Sequence, residues 1–139
     1  MYLLDTNVVS ELRKAKSNKA DPKLVEWANS VAVNDLYISA ITVLELEKGI
    51  LLMERKDQQQ GEVLRRWFNE HVIPTFNGRV LSFDGNVALR CAQLHVPDPA
   101  SDRDTIIAAT ALVHGMTVVT RNVQDFSGTG VELINPWGD

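Results

Sequence analysis

Five short apolar runs, separated by segments of helical periodicity, constrain this chain more than any other feature. They occupy residues 2–4, 36–38, 80–83, 117–120 and 131–134. Each is too short to span a fold alone and too apolar to lie at a surface. Such runs read as strands buried on both faces, as in a parallel sheet. Strands that alternate with helices in this way predict an α/β domain, its mainly parallel sheet covered by helices on both faces. With 139 residues, the chain has the length of one ordinary domain, 1–139, able to bury about two-thirds of its unfolded surface.

The connecting segments support that reading. Val8, Val9 and Leu12 mark a helix over residues 8–13, and a lysine-rich loop follows at 14–20. Asp21-Pro22 is a strong helix start, an N-cap followed by proline at the first helical position. Leu24, Val25, Trp27, Ala28 and Val31 then form an apolar stripe. A helix over 41–54 carries Val43, Leu44, Leu46, Ile50 and Leu51. The sequence Gln58-Gln59-Gln60-Gly61 reads as a break, and Leu64, Trp67 and Phe68 place another helix at 62–72. Asp84 is positioned to cap a helix reaching residue 94. After a turn-rich loop at 96–101, Asp102 or Arg103 opens a helix to His114, with Gly115 at the expected stop.

Composition narrows the function classes. With 14 basic and 18 acidic residues the net charge is −4, which argues against a protein that coats nucleic acid nonspecifically. It leaves room for an RNA enzyme, in which an acidic metal pocket is rimmed by basic residues. The single cysteine, Cys91, excludes a disulfide framework and a cysteine-based zinc site. Its apolar surroundings (Val87, Ala88, Leu89, Leu94) predict a buried, inert thiol. His71, His95 and His114 lack ligand spacing. No stretch approaches the ~20 apolar residues of a membrane span, and an acid after three apolar residues is unlike a signal peptide. A cytoplasmic protein is the expectation.

The residues with chemical potential are acids near strand ends. In open α/β sheets ligands sit just outside the carboxyl ends of the strands, and Asp5 follows the first strand immediately. Helix capping explains Asp5 and Thr6 equally well. Glu45 lies on the second turn of the helix after strand two, flanked by Leu44 and Leu46, so its charge needs a partner or a metal. Asp102 and Asp104 compete for one helix cap, which leaves one of them free. Thr120, Asn122 and Asp125 follow the fourth strand. Glu47 and Lys48 read as ordinary surface.

Taken together, Leu4-Asp5-Thr6-Asn7, Glu45-Leu46-x-x-Gly49, Asp104-x-Ile106-Ile107-Ala108-Ala109 and Thr120-Arg121-Asn122-x-x-Asp125-Phe126 resemble a PIN domain of the VapC toxin type, particularly its FitB-like branch. The resemblance covers residues 1 to about 137. It implies a three-layer α/β/α fold and a metal-dependent endoribonuclease, the toxin of a type II toxin–antitoxin pair. Asp5, Glu45 and Asp104 match the family's metal-binding acids. The fourth acidic position falls on Asn122, a departure that removes one charge, and Asp125 is placed to compensate. Mg²⁺ or Mn²⁺ is the implied cofactor, and hard cations of this kind prefer oxygen ligands. The implied reaction hydrolyses an RNA phosphodiester, leaving a 5′-phosphate and a 3′-hydroxyl. Thr6, Asn7 and Thr120 are candidate supporting groups. Arg103 and Arg121 are available either to phosphate or to neighbouring acids.

The resemblance also implies partners: a VapB-type antitoxin, a homodimer within a larger toxin–antitoxin complex, and operator DNA reached only through the antitoxin. The apolar residues of helices 41–52 and 62–72 are candidates for the antitoxin groove and dimer face, or are simply core. Other readings fit less well. A haloacid dehalogenase phosphatase wants an acid two residues after its nucleophile, where this chain has Asn7. A phospho-receiver wants its phosphoacceptor after the third strand. Asn122 keeps open a PIN-like binding or regulatory module with weakened nuclease activity.

Overall fold

The computed structural model describes residues 1–138. Its five strands, β1 (Tyr2–Leu4), β2 (Leu36–Ser39), β3 (Val80–Leu81), β4 (Thr117–Val119) and β5 (Leu133–Ile134), form one sheet in the order β3-β2-β1-β4-β5. Every pairing is parallel. The helices are α1 (Thr6–Leu12), α2 (Pro22–Asn29), α3 (Ala40–Lys56), α4 (Gln58–Trp67), α5 (Ile73–Thr75), α6 (Gly85–Leu94) and α7 (Asp102–His114). A five-residue π turn, Phe68–Val72, joins α4 to α5.

Successive strand residues point to opposite faces, and here each face has its own core. Leu4 and Val119 join Val8, Leu24, Leu46 and Phe68 on one side. Leu3 and Val118 join Ile107, Ala108, Ala111 and Phe126 on the other. Helices cover both cores, so the fold is a three-layer α/β/α sandwich. The small-residue run Ala108–Ala111 is fully buried with Thr110, letting α7 lie close on the sheet. On the opposite layer Trp27 of α2 meets Tyr2 of β1 edge-on, ring centroids 5.3 Å apart. Cys91 is buried as expected, its thiol 3.4 Å from Thr105 Oγ1.

Two local expectations need correction. Residues 58–61 do not break the chain's helical path; they are the first turn of α4. The break falls one residue earlier, where Asp57 adopts an extended backbone and its carboxylate accepts the Gln60 N–H at 3.2 Å. Gly61 is there for contact instead. A Cβ at that position would sit 2.6 Å from the Glu54 Cα, so only glycine lets α4 pack this closely on α3. The second correction concerns α7, which neither Asp102 nor Asp104 caps. Ser101 does so, its hydroxyl accepting the Asp104 N–H at 3.4 Å.

Chain order places the site. From β1 the sheet grows outward through β2 and β3, then returns to β4 and β5 on the other side. The carboxyl ends of β1 and β4 therefore flank a topological switch point, where α/β sheets open a crevice. Among the described residues no helix is long and apolar enough to cross a membrane.

Candidate active site

Asp5 leaves β1 at that crevice and is completely buried. Its backbone N–H continues the sheet to Val119 O at 2.9 Å. Its carboxylate does two local jobs: Oδ1 accepts the Thr6 N–H at 2.7 Å, capping α1, and Oδ2 accepts the Thr120 hydroxyl at 2.8 Å. The second bond crosses the switch point from the end of β1 to the end of β4.

Glu45 comes from the second turn of α3. Ser39 starts that helix as its N-cap, and Thr42, Leu46 and Ile50 bury its inner face. Glu45 lies between core and solvent with its side chain 27% exposed. Its Oε1 accepts the Thr6 hydroxyl at 2.5 Å, and that hydroxyl oxygen also lies 3.0 Å from Thr42 Oγ1. Asp104, on the first turn of α7, is 15% exposed.

One cation joins all three. The Arg103 guanidinium reaches Asp5 Oδ1 through Nη2 at 2.5 Å, Glu45 Oε2 through Nε at 2.5 Å and Asp104 Oδ1 through Nη1 at 2.8 Å. Burial by itself would lower the Arg103 pKa, but the hydrogen bond to Glu45 and the charge of Asp5 outweigh it. The net shift is upward, and the guanidinium stays charged. Sequence reasoning left Arg103 undecided between phosphate and acids. The available signal was charge balance: three acids in one crevice need a counter-cation, and Arg103 adjoins one of them.

The remaining residues divide. Thr120 is buried, and its hydroxyl accepts the Asn122 N–H at 3.0 Å and the Asn7 amide at 3.4 Å. Thr6, Asn7 and Thr120 thus form the frame around Asp5 and Glu45. Asn122 and Asp125 are brought near only through backbone: the Asp125 N–H donates to Asn122 O at 3.0 Å. Both are exposed, and among the described residues their side chains make no hydrogen bond or ion pair with the three acids. Glu47, read as plain surface, is instead the partner of Arg65 at 2.6 and 2.8 Å, and Arg65 also touches Glu54 at 3.3 Å. This cluster ties α4 to α3.

The donor set suits a hard divalent cation, since Asp5, Glu45 and Asp104 offer only oxygen. Among the described residues no three acid, His or Cys side chains stand close enough round one point to hold an ion as they are. The guanidinium spans the space between the three carboxylates. Beside them runs a groove of about 400 Å³, from Thr6 and Glu45 to Trp67, Trp137 and Arg121. The Arg121 guanidinium stacks 5.4 Å from the Trp137 ring centroid. The groove therefore joins an acidic end to an aromatic and basic flank.

Comparison with known proteins identifies the family and the fold. The sequence pattern of the PIN domain family matches residues 2–130. The chain is 39% identical over 145 residues to Toxin FitB of Neisseria gonorrhoeae, covering 100% of both proteins. It is 37% identical to VapC ribonuclease Y4jK of Sinorhizobium fredii, covering 99% of this chain and 98% of that protein. The solved structure of FitAB bound to an IR36 DNA fragment superposes with a TM-score of 0.89 at 36% identity, covering 100% of this chain and 97% of that one.

Proposed function

This chain belongs to the PIN domain family, and from that premise we propose that it is the metal-dependent endoribonuclease toxin of a type II toxin–antitoxin pair. The observation that carries the proposal is the convergence of Asp5, Glu45 and Asp104, from three separate elements, on one cationic point at the switch crevice. Carboxylates brought together in this way repel one another unless a cation sits between them. Nucleases that use metals as hydrolytic catalysts supply that need with the ion itself.

The proposed ligands are Asp5, Glu45 and Asp104, with Mg²⁺ as the ion and Mn²⁺ as a working substitute. When bound, such an ion supplies Lewis acidity that lowers the pKa of a water and neutralises charge developing on a phosphodiester. The chain's own groups do the positioning. Thr120 holds Asp5 Oδ2 in place, and Thr6 holds Glu45 Oε1. Asn7 and Asn122 hold the Thr120 hydroxyl between them. Asn122 and Asp125, both exposed, are assigned to water and substrate contact rather than to the ion. The Arg121 guanidinium on Trp137 faces the groove along which a phosphate backbone would approach.

Partners follow from the family. The proposed occupant of the groove in the resting cell is a VapB-type antitoxin, through which operator DNA is bound. Leu44, Leu51 and Leu52, more than half exposed on α3, support a homodimer as the unit of a larger complex, and the cytoplasm is its proposed location.

The test is RNA cleavage by purified toxin. We expect products with 5′-phosphates in Mg²⁺ or Mn²⁺, none in excess chelator, and none from Asp5→Asn. Cleavage that persists in chelator and in Asp5→Asn would refute the assignment. Intact antitoxin binding without any cleavage would favour a regulatory module.

A further inference from the structure

Arginines that fasten a structure usually do so with a two-pronged grip on one carboxylate, as Arg65 does on Glu47. Arg103 is different. It gives one N–H to each of three carboxylates from the end of β1, from α3 and from α7. That pattern resembles a coordination centre more than a clasp. The atoms it engages, Asp5 Oδ1, Glu45 Oε2 and Asp104 Oδ1, are the oxygens a small cation at this crevice would need.

We propose that Arg103 is a tethered counter-cation: it occupies the three acids in metal-free protein and competes with the divalent ion for their oxygens. Metal access then requires the side chain to leave. This inference rests on the metal reading of the site given above.

Three observations make the exchange physically reasonable. Without a cation, Asp5 would be a fully buried carboxylate facing two others, a costly arrangement; Arg103 removes that cost. Unlike Asp5, Arg103 is 32% exposed and sits on the first turn of α7, so its long side chain has a path to solvent without unfolding the helix. The guanidinium is also wider than a metal ion, and with it in place no three acids among the described residues stand close enough round one point to hold an ion. Its departure lets them close. The apparent affinity for metal is then the intrinsic affinity reduced by the fraction of molecules with Arg103 displaced.

The experiment compares wild type, Arg103→Gln and Arg103→Lys by calorimetric titration with Mn²⁺ and by thermal unfolding in chelator and in saturating Mn²⁺. Neutral glutamine removes the competitor, so Mn²⁺ should bind about tenfold tighter or better. In chelator the same variant should melt below wild type, because the acids lose their cation, and saturating Mn²⁺ should close or reverse that gap. Lysine keeps the charge but not the three-way reach, so its affinity should fall between the two. An Arg103→Gln affinity within about twofold of wild type, or weaker, overturns the proposal while leaving the metal site standing. If glutamine prevents folding in chelator, the lysine variant decides: affinity no tighter than wild type overturns the competition. Failure of every variant and wild type to bind millimolar Mn²⁺ overturns both this inference and the metal reading.

Discussion

Replacing Thr120 with valine tests the frame around Asp5 directly. The two side chains have nearly the same shape, so the change leaves no cavity, and Thr120 is fully buried. What disappears is the hydroxyl. It donates to Asp5 Oδ2 at 2.8 Å and accepts from Asn122 N at 3.0 Å and Asn7 Nδ2 at 3.4 Å. The last two donors belong to partly or fully exposed residues and can turn to water at little cost. Asp5 Oδ2 cannot. A buried hydrogen bond to a charged group contributes about 1.5–3 kcal/mol, and its loss strands the acceptor. We therefore expect Thr120→Val to destabilise by about 2–3 kcal/mol.

For a chain of this length the unfolding entropy is about 0.3 kcal/mol/K, so the melting temperature should fall by about 7–10 °C. Thr120→Ser keeps the hydroxyl and loses one buried methyl, worth about 1 kcal/mol or about 3 °C. Scanning calorimetry in excess chelator keeps metal binding out of the comparison. A valine variant that melts within about 2 °C of wild type, or no lower than the serine variant, would refute the reasoning. It would mean that Asp5 Oδ2 is hydrated rather than held across the switch point.

Other outcomes follow from the same geometry. Gly61→Ala should destabilise by about 1–2 kcal/mol despite alanine's better helix propensity, because its Cβ would overlap Glu54 backbone; a stabilised variant in urea unfolding would contradict the close α3–α4 approach. The hydrogen bond from Arg65 holds the Glu47 carboxyl below its ordinary pKa, against a smaller opposing effect of burial. Its contribution is therefore complete above the unfolded-state value near 4.5 and is lost as pH falls through the lower folded value. Melting temperature should fall less steeply with acidification in Glu47→Gln than in wild type, and parallel curves would count against the pairing. Arg121→Gln should raise KM for RNA by about fivefold, as expected for one lost phosphate contact of about 1 kcal/mol, with kcat nearly unchanged. An unaltered KM would remove Arg121 from the substrate path.

The central strands were legible in the sequence because burial on both faces leaves a crude signal, a short apolar run, and Leu3, Leu4, Ile38, Val118 and Val119 are all buried. The run at 80–83 carries the same signal at the edge of the sheet, where Val80 and Phe83 are exposed. The same signal overestimates length. Residues 82–83 and 131–132 look like strand but lie outside β3 and β5, since apolar character does not by itself fix ladder pairing. Asp57 and Ser101 were missed as caps for a different reason. Capping depends on which oxygen reaches which N–H, and neighbouring polar residues compete on nearly equal terms. Strand ends and early helix turns marked Asp5, Glu45 and the pair Asp102 and Asp104 as candidates for one edge, and the family resemblance singled out Asp5, Glu45 and Asp104 as the set. The distance of Asn122 and Asp125 from that set was not legible, because a loop's side-chain directions leave no periodic trace. Trp137 gains its neighbour Arg121 only through the fold.

Asp5 shows why cap and ligand need not exclude each other. An ionised carboxylate has roughly four lone-pair positions. The Thr6 N–H and the Thr120 hydroxyl take one on each oxygen, and both come from the chain segments that build the crevice walls. Those two bonds orient the carboxylate without exhausting it. A further position on Oδ1 points at Arg103, the one partner on a flexible, partly exposed side chain. The rigid bonds are structural and the exchangeable one faces the site, so capping α1 is what aims Asp5 at whatever cation the crevice holds.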